Sequence, residues 1–223
     1  FEMNERMQKA YTHIINLEFD IANQLLHAER KDNPNNGIII LNENYIDFLT
    51  ILISEDKAYY SNAKEFKMDR LKMLKEKNTN SPYYLYTQSE IYLQWAFCHL
   101  KFENYTIAAY EFITAYSLLK ENEKRHPHFL LNKKGLGLIH VLLGLIPSEH
   151  QWMFNLIGLK GNIELGFYQM NQVLNDSSTQ LYNNEILFLI SLLQLNITND
   201  DALFQKYLKQ IGSRYSENIL LNF

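Results

Sequence analysis

The sequence predicts an all-α protein, organised as an α-solenoid of about five antiparallel helical hairpins. Apolar residues recur at steps of three and four, for example from Tyr105 to Leu119, and this spacing places them on one face of a helix. Strict alternation of polar and apolar residues persists in no segment, so a strand pattern is missing from the sequence. Pro34, Pro82 and Pro127 lie 48 and 45 residues apart, and each marks a corner because proline cannot continue a helix. Paired helices at a period near 45 residues are typical of a solenoid.

The first three hairpins are predicted between the N-terminus and Pro127. Ser81 followed by Pro82 is typical of a helix cap and a first-turn proline, which places the start of the fifth helix. The predicted helices are Glu2–Asn16 and Glu18–Lys31 in the first hairpin, Ile38–Ser54 and Asp56–Lys77 in the second, and Pro82–Phe102 and Tyr105–Lys124 in the third.

The last two hairpins are less regular. The fourth is predicted as Phe129–Leu145 followed by two pieces, His150–Ile157 and Asn162–Leu174, and the fifth as Gln180–Leu195 and Asp200–Tyr215. Pro147 stops the glycine-rich helix, and we expect Trp152, in the short piece that follows, to be largely buried against that helix. The whole chain, 1–223, is predicted to be a single helical-repeat domain or a fragment of a longer chain.

The glycine-rich stretch, 135–166, contains six of the eight glycines. Gly135, Gly137 and Gly144 lack side chains and are expected to let another helix approach closely. Gly158 and Gly161 are expected to bracket a turn, because glycine accepts left-handed backbone.

The spacing of Gly161 and Gly166 matches the glycines of a phosphate-binding loop. That loop also requires Lys and Ser/Thr next, after a preceding strand, and here Phe167 and Tyr168 follow. We therefore predict a structural role for these glycines, and no cofactor.

Composition limits the classes of protein that fit. Hydrophobic residues make up 47% of the chain, which predicts a soluble, folded protein, and the net charge of −4 gives no reason to expect nucleic acid as a partner. No apolar run reaches the roughly 18 residues of a transmembrane helix. The chain begins at Phe1, which fits a removed secretory leader or a trimmed chain, and we favour an exported or periplasmic location slightly over the cytoplasm.

Small residues at fixed spacing carry a family resemblance. Ala96 lies twelve residues before Ala108, and Ala10 lies twelve residues before Ala22, at places where two antiparallel helices would cross closely. In the third hairpin Phe112 and Ala115 follow at four and seven residues, and in this spacing both hairpins resemble the tetratricopeptide repeat. The second hairpin lacks the pattern.

The glycine-rich stretch, with Pro147 and Trp152, resembles a group of tetratricopeptide-repeat-like proteins of Bacteroidetes bacteria. It is more distantly similar to the eukaryotic inclusion-body-clearance and tetratricopeptide-domain-39 proteins. The resemblance implies an adaptor-like helical scaffold and brings no catalytic residue.

The function predicted from this fold is non-enzymatic binding of a protein or peptide in the concave groove of the repeat. Self-association of the chain is a further possibility. The position of each residue in the repeat gives four candidate contacts on the concave side: Gln8, Glu90, Gln94 and Lys101.

The alternative is a helical hydrolase or lyase with carboxylates in a central cleft. Asp47, Glu90 and Glu111 are the acids that such an enzyme would use. For Asp47 we rather expect a hydrogen bond from a neighbouring Tyr or Arg, or a position where its helix meets solvent. No catalytic residue is assigned.

Metal binding and nucleophilic catalysis have little support in the sequence. His126 and His128 flank Pro127, but no Cys or acidic cluster completes a ligand set, so no metal site is predicted. Cys98 lies among apolar residues of a helix that we expect to be interior, where a thiol is usually inert.

The segment Lys64–Lys77 contains six basic and three acidic residues. We expect these charges to face solvent, with an anionic partner as the alternative. The apolar face of the same helix is predicted to comprise Tyr60, Ala63, Phe66, Leu71 and Leu74.

Overall fold

A computed structural model describes residues 1–146 and 159–197, with side chains up to residue 194, and the described chain is helical without any strand. The all-helical prediction is therefore confirmed for these residues. The predicted pieces His150–Ile157 and Asp200–Tyr215, and with them Trp152, lie outside the described residues.

The described residues form nine α-helices and one short 3-10 helix, Ser177–Tyr182, which lies between the eighth and ninth α-helices. The α-helices are α1 (Glu5–Ile15), α2 (Phe19–Asp32), α3 (Ile38–Ser54), α4 (Lys57–Lys75), α5 (Pro82–Lys101), α6 (Tyr105–Arg125), α7 (Asn132–Gly144), α8 (Ile163–Leu174) and α9 (Asn183–Ile197).

Capping side chains explain where several helices begin. Asn4, Asp56, Ser81 and Asn162 each accept a hydrogen bond from a first-turn amide of the helix that follows. The predicted Ser81 cap is thus confirmed. The predicted start of α1 at Glu2 was three residues early, because Asn4 supplies the cap.

Three helices are followed by a non-glycine residue whose backbone is left-handed. These residues are Leu17, Glu55 and Glu103. After Leu17 and Glu103, the next amide donates to a carbonyl five residues earlier, at 2.8 Å in both turns. The first and third hairpins therefore share one hydrogen-bonded turn, although the sequence of neither turn contains glycine.

The described chain divides into two compact units, and the first, Phe1–Phe129, contains α1 to α6. Within it α3 packs against α1, α2, α4 and α5, and α5 also packs against α4 and α6. The paired alanines predicted at helix crossings, Ala10 with Ala22 and Ala96 with Ala108, are all fully buried. The predicted burial of small residues at these positions is therefore confirmed.

The second unit begins at Leu130, and α7 and α8 pack against each other in it through glycines. A Cβ atom added to Gly144 would lie 2.7 Å from Ile163, and one added to Gly161 would lie 2.1 Å from the amide nitrogen of Gly144. Gly137 and Gly144 therefore permit the predicted close approach. Glycine is required at position 161 because a side chain there would collide with the backbone of α7, and not because its own backbone is left-handed. The reason predicted for Gly161 was therefore wrong.

None of the described helices combines the length and apolar character that crossing a membrane requires.

Candidate functional site

Polar side chains attach α4 to its neighbours, and Asp47 on α3 is the first of them. Its two carboxylate oxygens accept hydrogen bonds from the Tyr59 hydroxyl and from Arg70 Nη1, both at 2.6 Å and both from α4. The expected Tyr or Arg donor to Asp47 is therefore confirmed, with both residue types present. Burial, together with the Asp47 carboxylate, raises the pKa of Tyr59 far above its usual value, so its hydroxyl remains a donor.

Asn44, one turn before Asp47, extends these contacts into the interface between α3 and α5. Its Oδ1 accepts a hydrogen bond from Trp95 Nε1 at 3.2 Å, and Arg70 Nη1 lies 3.4 Å from the same oxygen. Its Nδ2 donates to Gln94 Oε1 at 2.6 Å. Through Asn44, hydrogen bonds thus connect Arg70 of α4 to Gln94 and Trp95 of α5.

Lys67 of α4 and Glu111 of α6 form a buried ion pair. The ammonium also lies 5.1 Å from the centre of the Tyr92 ring and 5.6 Å from that of Trp95, within the range of a cation–π contact. Burial lowers the pKa of Lys67 and raises that of Glu111, and the attraction between the two charges opposes both shifts. Each charge is tolerated in the interior because the other compensates it.

This ion pair corrects the prediction that the charges of Lys64–Lys77 face solvent. Lys67 is buried, whereas Phe66, assigned to the apolar face, is 48% exposed. The buried stripe of α4 consists of Tyr60, Ala63, Lys67, Leu71 and Leu74.

Tyr60 and His99 form the next polar contact of α4. The Tyr60 hydroxyl forms a hydrogen bond with Nδ1 of His99 at 2.6 Å and accepts one from Asn104 Nδ2 at 3.0 Å. Burial, reinforced by the positive charges of Lys67 and Lys64, lowers the pKa of His99 to about 4. His99 is therefore neutral at neutral pH, and its Nε2, 3.9 Å from Glu111 Oε1, forms no ion pair there.

The two contacts between α4 and the region of α6 have the same offset. Tyr60 bonds Asn104, just before α6, and Lys67 bonds Glu111, and in both cases the partners are 44 residues apart. Equal offsets indicate that α4 and α6 run in the same direction where these side chains join them. Lys67 and Glu111 thus join two helices that are not consecutive in the chain.

Of the four predicted groove residues, two are exposed and two are buried. Gln8 is exposed, and Lys101, also exposed, pairs with Glu55 at 2.5 Å. Glu90 and Gln94 are 3% and 4% exposed. Glu90 accepts a hydrogen bond from the Tyr45 hydroxyl at 2.9 Å, and Gln94 accepts one from Asn44, so α3 contacts both.

The three acids of the enzymatic alternative are held by different partners. Asp47 contacts Arg70 and Tyr59, Glu90 contacts Tyr45, and Glu111 contacts Lys67. Each carboxylate joins two helices, and none of these contacts pairs one acid with another.

Cys98, the single cysteine of the chain, is buried in α5. Burial raises the pKa of the Cys98 thiol to about 12, so the nucleophilic thiolate is not populated at neutral pH. Among residues 1–146 and 159–197, no group of three or more His, Cys, Asp and Glu side chains could hold a metal ion.

An open pocket of about 600 Å³ lies between α2 and α3, with Arg30 and Glu43 paired at 2.5 Å in its wall. Polar side chains and one leucine line it: Asn23, Gln24, Leu26, His27, Arg30 and Glu43. None of the residues predicted for a groove or for catalysis lines this pocket.

Sequence reasoning missed Lys67, Arg70 and His99. Lys67 could have been found, because it lies four residues after Ala63 and four before Leu71, on the buried stripe of its helix. His99 had the same signal, since it lies four residues after Trp95 and three after Ala96, both buried. Arg70 lies outside the buried stripe of its helix and had none.

No protein-family model matches the sequence, and no curated protein or solved structure matches it significantly. What the chain does must therefore be inferred from its own residues and contacts.

Proposed function

We propose that the chain is a non-enzymatic scaffold of helical hairpins that binds a protein or peptide segment in a concave groove. The proposal includes a tetratricopeptide-repeat-like solenoid, as the resemblance of the sequence to the Bacteroidetes proteins implies. The groove would be formed by the first helix of each hairpin, and recognition would make or break no covalent bond.

The packing order of the helices carries this proposal. Within the first unit, the first helices of the three hairpins pack one against the next, since α3 contacts both α1 and α5. The second helix of a hairpin also contacts the first helix of the next, as α2 contacts α3 and α4 contacts α5. Repeated neighbour-to-neighbour packing is characteristic of solenoids, and the shared turn at Leu17 and Glu103 supports equivalent hairpins.

The buried acids favour a scaffold over the enzymatic alternative. Two carboxylates that flank a scissile bond would have to lie close together with one face open to substrate. Asp47, Glu90 and Glu111 instead bond to side chains of neighbouring helices, which is a structural use.

The test is a peptide-display selection on the purified protein, followed by fluorescence polarisation with the selected peptides. Because Gln8 and Lys101 are the exposed groove candidates, we expect the double variant Gln8→Ala, Lys101→Ala to weaken binding about tenfold, or by about 1.4 kcal/mol. The matched control is Asn23→Ala with Lys31→Ala, two exposed positions on α2.

Equal affinity of the double variant, the control and the unmodified protein would refute the groove assignment. Failure to select any peptide with micromolar affinity would argue against the scaffold function itself. Circular dichroism of each variant checks that the helices are retained.

A further inference from the structure

One stripe of α4 concentrates positive charge without acidic partners. Lys57, Lys64, Met68, Lys72 and Lys75 follow each other at steps of seven, four, four and three, so they share one face of the helix. Among the residues that the structure describes, none of these four lysines forms an ion pair; Lys64 only approaches the ring of Tyr60, at 4.3 Å.

The stripe contrasts with the acidic balance of the chain, in which acidic residues outnumber basic ones. Among the described residues outside α4, six surface cations are paired with a carboxylate and five have no carboxylate partner: Lys31, Lys77, Lys124, Lys133 and Lys160. The paired cations are Arg6, Lys9, Arg30, Lys101, Lys120 and Arg125. The acids of α4 itself, Glu65 and Asp69, lie on the next stripe around the helix.

The position of the stripe follows from the contacts of α4. Tyr59 and Arg70 turn toward α3, and Lys67 turns toward α6. At 100° per residue, Lys64 and Met68 lie on the flank beyond Lys67, opposite the α3 side. The stripe therefore lies on the flank of α4 next to the Lys67–Glu111 contact with α6.

Near its contact with α4, α6 exposes apolar surface. Ile107 precedes Glu111 by one turn and is 46% exposed, and Tyr110 is 62% exposed. Met68, one residue after Lys67 on α4, is 65% exposed. Between Tyr105 and Lys120 the sole acid is Glu111, which is buried and neutralised by Lys67, so this part of α6 adds no exposed negative charge.

We propose that this surface, the α4–α6 face, binds an acidic amphipathic helical segment of another protein. The face comprises Lys57, Lys64, Met68, Lys72 and Lys75 of α4 with Ile107 and Tyr110 of α6. Carboxylates spaced along the partner would pair with the lysines, and its apolar side chains would cover Met68, Ile107 and Tyr110. The inference uses none of the proposed groove residues and does not depend on the groove.

The geometry sets the length of a suitable probe. Lys57 and Lys75 are 18 residues apart, which corresponds to about 27 Å along a helix. We would use a fluorescent amphipathic peptide of about 18 residues, with leucines on one face and glutamates beside them, since a helix of this length matches the stripe. A second peptide with glutamine in place of glutamate is the neutral comparison.

The decisive variant reverses three lysines of the face: Lys64→Glu, Lys72→Glu and Lys75→Glu. The matched control reverses three exposed lysines elsewhere, Lys31→Glu, Lys124→Glu and Lys160→Glu, with the same change in net charge. We expect the face variant to bind the acidic peptide at least about tenfold more weakly, and the control to stay within about threefold, because exposed charges act over roughly a Debye length.

Two further measurements test the components of the face. Affinity for the acidic peptide should fall with added salt, and Met68→Ser should weaken binding even where salt screens the lysines. Equal weakening by the face and control variants, or equal binding of the acidic and neutral peptides, would overturn the proposal. Binding of phosphatidylserine vesicles without binding of the acidic peptide would assign the face to a membrane surface and would also overturn it.

Discussion

Gly137 of α7 and Gly166 of α8 are in reciprocal contact. A Cβ atom added to Gly137 would lie 2.6 Å from the carbonyl oxygen of Gly166, and one added to Gly166 would lie 2.5 Å from the carbonyl oxygen of Gly137. A methyl group on either glycine would therefore collide with the backbone of the other. The approach of the two helices thus depends on two missing side chains.

Replacing Gly166 by Ala should therefore destabilise the protein, although alanine in a helix is normally more stable than glycine by about 1 kcal/mol. We expect a loss of roughly 1–3 kcal/mol in the free energy of unfolding, because the added methyl meets backbone atoms that cannot move independently. Urea denaturation measures this change. Gly144→Ala is the matched comparison and should cost less, since its nearest backbone atom, the nitrogen of Ile163, is 3.2 Å away, whereas Gly166 would meet a backbone oxygen at 2.5 Å. Equal stability of Gly166→Ala and the unmodified protein would contradict the close crossing.

Ala108→Leu should overpack the crossing of α5 and α6. Ala108 is fully buried, so three additional carbon atoms have no space, and we expect a loss of roughly 1–3 kcal/mol. The control is Ala58→Leu, an exposed position of α4 where the change should stay within about 0.5 kcal/mol. Thermal melts of the two variants would show the difference, and indistinguishable melts would count against a close helix crossing at Ala108.

Glu111→Ala should be strongly destabilising, because it leaves the buried Lys67 without its carboxylate. Breaking one side of a buried ion pair typically costs about 3–5 kcal/mol. The double variant Lys67→Met, Glu111→Leu removes both charges and should recover most of that loss. Glu123→Ala, which breaks the exposed pair with Lys120, should cost less than about 1 kcal/mol and serves as the control. A loss for Glu111→Ala no larger than that of the control would refute a compensated buried pair.

Stability should fall in acid because of His99. Its pKa is about 4 in the folded protein, below the ordinary value of 6.5, so the unfolded chain takes up the proton first as the pH falls. The contribution of His99 to stability is therefore complete above pH 6.5 and is lost progressively toward pH 4, by about 2–3 kcal/mol. Glu111, whose pKa is raised, acts in the opposite direction, so the effect of His99 must be isolated by substitution.

The measurement is urea denaturation at several pH values for the unmodified protein and for His99→Asn. The asparagine side chain can still form a hydrogen bond with the Tyr60 hydroxyl, as donor or acceptor, but does not titrate. We expect the variant to show a shallower decline between pH 6.5 and 4, whatever its stability at neutral pH. Parallel profiles of the two proteins would mean that His99 is not the responsible group.

Much of the helical structure could be predicted, because its signals are local. Spacing of apolar residues located the helices, the Ser81 cap was read directly, and the alanines at helix crossings were recognised by their separation. The left-handed turns at Leu17 and Glu103 could not be predicted, since residues other than glycine rarely adopt that conformation.

The candidate site was predicted less completely. A polar donor for Asp47 was expected, but the sequence did not indicate that Arg70 and Tyr59 would both reach it from the next helix. Glu90 and Gln94 were assigned to a groove from their angular position on α5, and the structure places both in contact with α3. An angular position on one helix does not reveal which other helix will cover it.

Local residue patterns were sufficient to predict the helical class, the burial of the paired alanines and the close approach at Gly137 and Gly144. These follow from the 3.6-residue period and from the volume of a side chain, which are properties of neighbouring positions in the chain. Contacts between distant parts of the chain place Lys67 in the interior while Met68, the next residue, is exposed, and bring Lys67 to a carboxylate 44 residues away. The free energy of burying a charge depends on the partner that compensates it, and that partner is supplied by the packing of α4 beside α6.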